Sequence, residues 1–190
     1  FKKVSSYEEW LQPKLVDNIF PLLSKELPKY REKIKTLHLC FSTDPYMYGH
    51  PEICRASTQI IEKANVFGVH CSVLTKGILP IELENMPLEN EYGITVVTLD
   101  ENFRMEMEPG AAPMEERIRA LEALSEHGCY TWISIEPYPT PNIHEQNLDQ
   151  LLERVSFANR IIFGRLHYNK QVTAYKDYQN FYNVCANKVI

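Results

Sequence analysis

At 190 residues, 44% of them hydrophobic, the chain is long enough to bury the core of one α/β domain and does not read as two. A net charge of −5 without any basic run excludes the electrostatic footprint of a duplex-binding protein, though not a nucleic-acid substrate held in a local groove. Apolar stretches all fall short of the roughly 20 residues of a spanning helix, and no signal peptide opens the chain.

The five cysteines, Cys40, Cys54, Cys71, Cys129 and Cys185, are odd in number and widely spread, three of them in or beside apolar runs. That usage predicts reduced, buried thiols and a cytoplasmic protein rather than a disulfide framework. The first residue is Phe1, so the sequence is expected to begin inside a longer protein.

Residues 1–35 read as a helical lead-in of short helices interrupted by Pro13, Pro21 and Pro28. Thr36 to Phe41 is the first strand, stopped at Asp44-Pro45, and Pro51-Glu52 opens a helix to Val66 with Gly68 as its stop. Val69 to Leu74 is a second strand, with a short helix over Ile81 to Met86, and Tyr92 to Leu99 a third. A long loop from Asp100 to Ala112 leads to the best helix, whose buried face carries Ile118, Leu121 and Leu124 and which Gly128 ends. Cys129 to Ile135 is a fourth strand, followed by a proline-rich loop over Tyr138 to Asn142 and a helix from Gln146 to Ser156. Arg160 to Phe163 is the fifth, and Tyr175 to Asn187 a terminal helix. Strand and helix alternating over 36–165 without hairpin signals mean a parallel sheet, either a barrel or an open doubly wound one.

In such architectures chemistry gathers where strands end, which selects Ser42, Thr43 and Asp44; Thr75 and Lys76; Thr95, Thr98 and Asp100; Ser134 and Glu136; and Arg165, His167 and Asn169. Period-two alternation puts Cys40, Ser42 and Asp44 on one face of the first strand. Plainer roles stand beside these. Asp44 before Pro45 is a good turn starter, and Lys76 beside Gly77 suits a solvated loop. Glu136, after Trp132-Ile133-Ser134-Ile135, risks desolvation unless paired, so Lys76 or Arg165 is expected as its partner. His38 and His70 read as structural histidines, Cys71 and Cys129 as core. Nucleotide-binding glycine fingerprints, Walker loops, HExxH, GxSxG and CxxC are absent from the sequence, and the histidines are too dispersed for a metal site.

Four stretches occur in one order: Ser42-Thr43-Asp44-Pro45-Tyr46; Leu74-Thr75-Lys76-Gly77; Val97-Thr98-Leu99-Asp100 continuing to Met107-Glu108-Pro109-Gly110-Ala111-Ala112-Pro113 with Arg117; and Ile135-Glu136-Pro137-Tyr138-Pro139. Together they resemble the radical S-adenosylmethionine proteins of the spore-photoproduct-lyase-like group, often labelled DNA repair photolyases, and the resemblance implies a bacterial protein. The resemblance implies a partial (β/α)6 TIM-type barrel with about five parallel strands in this chain. In that group a 4Fe-4S cluster cleaves S-adenosylmethionine to a 5′-deoxyadenosyl radical that abstracts hydrogen from substrate. The resemblance places Thr43 and Asp44 near the methionine or amino end of S-adenosylmethionine, Lys76 beside its carboxylate and Thr95 near its ribose, with Glu136 also a cofactor-binding residue. Lysine offsets a carboxylate and hydroxyls satisfy ribose and amine.

The group's CxxxCxxC cluster motif has no counterpart here, so the resemblance puts the first strand and its cysteine loop before Phe1 and makes this chain alone inactive. Phe41 also stands where the lyase itself has a hydrogen-donating cysteine, with Cys40 one position away. Two other readings stay open: a parallel-barrel hydrolase using Asp44 and Glu136 or Asp100 as acid and base, and a non-catalytic domain binding through aromatics such as Tyr46, Trp132 and Tyr138. On any reading the substrate is unknown. The Leu37 strand is expected to expose an edge, to be covered by the N-terminal helices, a rearranged segment or a second copy.

Overall fold

A computed structural model describes residues 12–39 and 43–189 of the chain. Five strands, β1 (Thr36–Leu39), β2 (His70–Thr75), β3 (Glu91–Thr95), β4 (Tyr130–Tyr138) and β5 (Arg160–Arg165), form one wholly parallel sheet in the order β1-β2-β3-β4-β5. Among the described residues seven helices accompany them: α1 (Ile19–Tyr30), α2 (Pro51–Val66), α3 (Glu101–Met107), α4 (Met114–Glu126), α5 (Leu148–Arg154), α6 (Lys170–Ala174) and α7 (Tyr178–Val189).

The strand order decides between the two sheet topologies left open by the sequence. Right-handed crossovers between strands that are neighbours both in sequence and in space put every helix on one face, and the other face becomes the inside of a curl. Side chains confirm it. Cys71, Val73, Tyr92, Ile94, Ile133 and Ile135 join Ile61, Ile118, Leu121 and Leu124 of α2 and α4 in the core. On the opposite face, His38 of β1 stacks near Trp132 of β4, ring centroids 6.5 Å apart. His38 and Trp132, three strands apart, thus reach toward each other across this face, as on the inside of a curl.

Helix ends follow local chemistry. Gly68 and Gly128, at φ 73° and 84°, terminate α2 and α4 in the left-handed conformation. Their N–H groups and those of Val69 and Cys129 bond back to the last helical carbonyls, feeding the chain directly into β2 and β4.

Several predicted boundaries shift. α1 is a single helix with Pro21 in its first turn, where an N–H would have no partner, and Pro28 in its last; the part of the lead-in before residue 12 lies outside the described residues. The first strand is described to Leu39, so Phe41 and the predicted facing of Cys40 and Ser42 lie outside the described residues too. The third strand stops at Thr95 rather than Leu99, because Val96, Val97 and Thr98 turn into the interior. The loop from Asp100 to Ala112 contains α3, whose start is capped by the Asp100 carboxylate accepting from the N–H groups of Asn102 and Phe103. Ile81–Asn85 is a 3-10 turn. β4 runs on to Tyr138, and an additional helix, α6, capped by Asn169, precedes the terminal one. Among the described residues no helix is long and apolar enough to cross a membrane.

Candidate functional site

The C-terminal ends of the strands meet at the mouth of the partial barrel, and the first feature there is a staple between β1 and β2. Asp44 accepts through Oδ1 from the Tyr46 N–H at 2.9 Å and from the Thr75 hydroxyl, and through Oδ2 from the Lys76 N–H at 2.7 Å. Thr75 in turn accepts from the Gly77 N–H at 2.8 Å. Gly77 has no room for a side chain, since a Cβ would sit 1.6 Å from the Tyr46 carbonyl oxygen. Asp44 is therefore a turn starter and also a tie between strands 31 and 32 residues apart. Oδ1 is filled and Oδ2 keeps one lone pair, a poor arrangement for the acid–base role of the hydrolase reading.

Lys76 points its half-exposed ammonium at Glu108, whose side chain is 7% exposed. Glu108 also holds Arg117, a side chain with no exposure, at 3.2 Å. Arg117 donates through Nη1 to the Thr95 carbonyl at 2.8 Å, and its Nε finds no partner among the described residues. Burial pulls the Arg117 pKa down, and the Glu108 carboxylate opposes that pull. The segment carrying Glu108 is clamped as well: Arg104 donates to the carbonyls of Glu108 and Ala111 and pairs with Glu101, while Ala112 donates its N–H to the Lys76 carbonyl at 2.9 Å. The chain between β3 and α4 is thus locked onto the end of β2.

Thr95 and Ser134 are register partners on β3 and β4, buried on the concave face, and Glu136 follows two residues on. Neither hydroxyl has a hydrogen-bond partner among the described residues. Gly164 of β5 leaves the space that Glu136 fills, since a Cβ there would sit 2.4 Å from its carboxyl carbon. The predicted pairing of Glu136 is not found: Lys76 is taken by Glu108, Arg165 donates to His167 at 3.2 Å, and Glu136 is exposed with no ion pair among the described residues. Because β4 carries Glu136 out to the open mouth, water solvates it and the expected desolvation does not arise.

Below the mouth the concave face is floored by aromatic and charged groups. Trp132 lies flat on Gly93, where a Cβ would meet its ring at 2.3 Å. The Arg160 guanidinium sits 5.3 Å from the Trp132 ring and 5.7 Å from that of Tyr130, and pairs with Glu91 at 2.8 Å. Trp132 Nε1 is buried without a partner among the described residues. At the rim, Thr98 bonds Nε2 of His144 at 3.0 Å, and the His144 ring stacks on Phe103 with centroids 3.9 Å apart. Thr43 and Asp44, with His38 and residues 13–16, line a cavity of about 330 Å³ beside β1.

Lys76, Thr95, Ser134, Glu136 and the Asp44 staple all belong to this end of the barrel. Asp100 and Asn169 instead cap helices, and Arg165 and His167 pair with each other on the surface. Arg104 and His144 are not among the residues that the sequence singles out; Glu108 and Arg117 enter there only through the family resemblance, and Trp132 only as an interface aromatic. One signal was available for Arg117, an arginine at the i−4 position of Leu121 within the apolar stripe of α4, where burial demands a carboxylate.

The described cysteines do not suit an iron–sulfur cluster. Cys71 faces the helix layer with its thiol pushed up to about 12 by burial, Cys129 and Cys185 are buried with thiols also raised, and Cys54 lies on α2. Among the described residues no three His, Cys, Asp or Glu side chains gather as a metal site. The mouth does suit a small ligand with a carboxylate and hydroxyls, since it offers a half-exposed ammonium, two hydroxyls without partners and a solvated carboxylate.

No protein-family model matches the chain. It is 27% identical over 152 residues to the uncharacterized protein ORF301 of Acidianus two-tailed virus, a match covering 77% of this chain and 48% of the viral protein. The chain thus spans about half the length of that relative. Among solved structures it is similar to Streptococcus suis SuiB, with a TM-score of 0.56 at 10% identity over 88% of this chain and 40% of SuiB. SuiB bound to S-adenosylmethionine gives a TM-score of 0.48 at 12% identity, covering 93% and 52%. The SuiB match at 0.56 bears out the fold: an α/β partial barrel resembling that of radical S-adenosylmethionine proteins.

Proposed function

We propose that the chain is the barrel portion of a radical S-adenosylmethionine enzyme of the spore-photoproduct-lyase-like group, holding S-adenosylmethionine across the barrel mouth and acting on a substrate of unknown identity. The observation that carries this reading is the row of groups at the mouth whose hydrogen-bonding capacity the described residues leave unused: the Thr95 and Ser134 hydroxyls and the Glu136 carboxylate. They stand on a singly wound parallel sheet of the same kind as SuiB, a protein crystallised with S-adenosylmethionine.

In this reading Lys76 takes the carboxylate of the ligand, the two hydroxyls bond its ribose, and Glu136 accepts from its amine or ribose. The Asp44 staple holds the Lys76 main chain at the mouth, and in the ligand-free chain the Glu108–Arg117 pair holds its side chain there. Hydrogen abstraction by this class of enzyme also needs cluster ligands, which the described residues do not provide, so they contribute binding and position only. A strand preceding Phe1 would pair with the edge of β1, and a second copy of the chain is the alternative cover for that edge.

Calorimetric titration of the full chain with S-adenosylmethionine tests the binding half. Binding is expected, weakened about tenfold or more in Lys76→Ala and several-fold in Glu136→Gln, as for the loss of charged hydrogen bonds. Binding that is absent, or equal in all three proteins, refutes the assignment. The residues encoded upstream test the catalytic half, and a continuous upstream sequence without CxxxCxxC removes it.

A further inference from the structure

Lys76, Glu108 and Arg117 are two cations sharing one carboxylate, and their mobilities differ. Glu108 is held on both sides. Its Oε2 lies 3.2 Å from Arg117 Nη2, Arg117 is anchored to the Thr95 carbonyl at 2.8 Å, and the Glu108 main chain is bonded to Arg104 through both N–H (2.7 Å) and carbonyl (3.0 Å). Lys76 is pinned through its main chain, to Asp44 and Ala112, while its side chain meets Glu108. Its ammonium ends a flexible four-carbon stem and is 39% exposed, against 7% for Glu108 and none for Arg117.

The three groups sum to one positive charge, and their only anion is shared with a cation fully buried behind it. A monoanion reaching the mouth can therefore take Lys76 without leaving Glu108 unpaired, since Arg117 stays on it. We infer that Glu108 is an internal counter-ion occupying Lys76 in the ligand-free chain, and that a ligand carboxylate displaces it, making the site selective for ligands bearing one carboxylate. The inference rests on the proposed function only for the identity of that ligand.

Two probes separate the inference from that identity. The full chain and Glu108→Gln, which keeps an acceptor for Arg117 while losing the charge, are titrated with S-adenosylmethionine, with its decarboxylated analogue and with acetate. Binding at Lys76 is followed by NMR of the labelled lysine ε-methylene. Glu108→Gln is expected to bind S-adenosylmethionine about tenfold more tightly than the unaltered chain, since the carboxylate that competes for Lys76 is removed, and to bind the decarboxylated analogue no more tightly. Equal or weaker binding of S-adenosylmethionine by the variant overturns the counter-ion role while leaving the proposed ligand in place. No response to S-adenosylmethionine, with an acetate response at Lys76 that strengthens in the variant, removes the ligand assignment and sustains the counter-ion. Silence of Lys76 to both carboxylates overturns both. Should Glu108→Gln not fold, the Glu108 carboxyl-carbon resonance of the unaltered chain decides. Movement on adding S-adenosylmethionine but not its decarboxylated analogue is expected, and no movement with Lys76 responding overturns displacement.

Discussion

Replacing Asp44 by asparagine tests how far this residue is a structural tie. Its carboxylate serves three donors: the Tyr46 N–H at 2.9 Å, the Lys76 N–H at 2.7 Å and the Thr75 hydroxyl. Asparagine with its oxygen kept at the Oδ1 position still serves Tyr46 and Thr75, but turns an amide N–H toward the Lys76 N–H. One charge-assisted bond is lost, about 1.5–3 kcal/mol, and a donor loses its partner, about 1 kcal/mol at this part-buried site. A destabilisation of about 2.5–4 kcal/mol follows, with Asp44→Ala at least as large because all three donors are released. In urea this lowers the midpoint by about 1 M at an unchanged slope, and it lowers Tm by about 5–15 °C for a chain of this size. Urea unfolding followed by far-UV circular dichroism measures it. An Asp44→Asn midpoint within about 0.2 M of the parent would show that the staple contributes little, and Asp44 would return to the list of free site residues.

Gly77→Ala is expected to lose about 3 kcal/mol or to misfold, because its Cβ would meet the Tyr46 carbonyl oxygen at 1.6 Å and backbone cannot yield as a side chain does; thermal unfolding reports it, and a parent-like Tm refutes the close approach. Arg117→Met should cost about 3–5 kcal/mol by orphaning the Thr95 carbonyl and halving the ion pairing of the buried Glu108, again read as a urea midpoint. Alkaline pH should weaken the fold. The Cys71 thiol is pushed from 9.0 to about 12 by burial, and Cys54, Cys129, Cys185 and the Tyr46, Tyr92 and Tyr138 phenols are raised too. The unfolded chain therefore releases protons first. The stability these groups lend is whole below about pH 8.5 and falls as pH rises above it, for Cys71 by up to about 1.4 kcal/mol per pH unit toward pH 12. Urea midpoints measured from pH 8 to 10.5 should decline, and a flat profile contradicts the burial of the thiols. Gly93→Ala should lift Trp132 off the sheet, since a Cβ would lie 2.3 Å from its ring, and red-shift part of the tryptophan emission; an unchanged spectrum would place the ring elsewhere.

The parallel five-strand pattern was legible in the sequence because burial on both faces leaves continuous apolar runs, and because glycines at 68 and 128 mark helix ends that the backbone requires. Boundaries failed where side chains overrode the pattern. The Asp100 cap starts α3 inside an apparent loop, and Val96 to Thr98, apolar enough to extend a strand, turn inward instead. Barrel and doubly wound sheets read alike along the chain, since strand order is a fact about neighbours in space.

The candidate site divides the same way. Lys76, Thr95 and Glu136 could be picked out one at a time because each is a polar residue closing an apolar run, a local property. What each of them faces is not local. Asp44 meets Thr75 and Lys76 across 31 and 32 residues, Lys76 meets Glu108 across another 32, and Trp132 lies on a glycine 39 positions earlier. Local sequence specified which residues could do chemistry at the strand ends. Only the folding of the sheet into a curl decided that Asp44 is held as a tie, that Glu108 sits on Lys76, and that Thr95, Ser134 and Glu136 face the mouth with hydrogen-bonding capacity to spare.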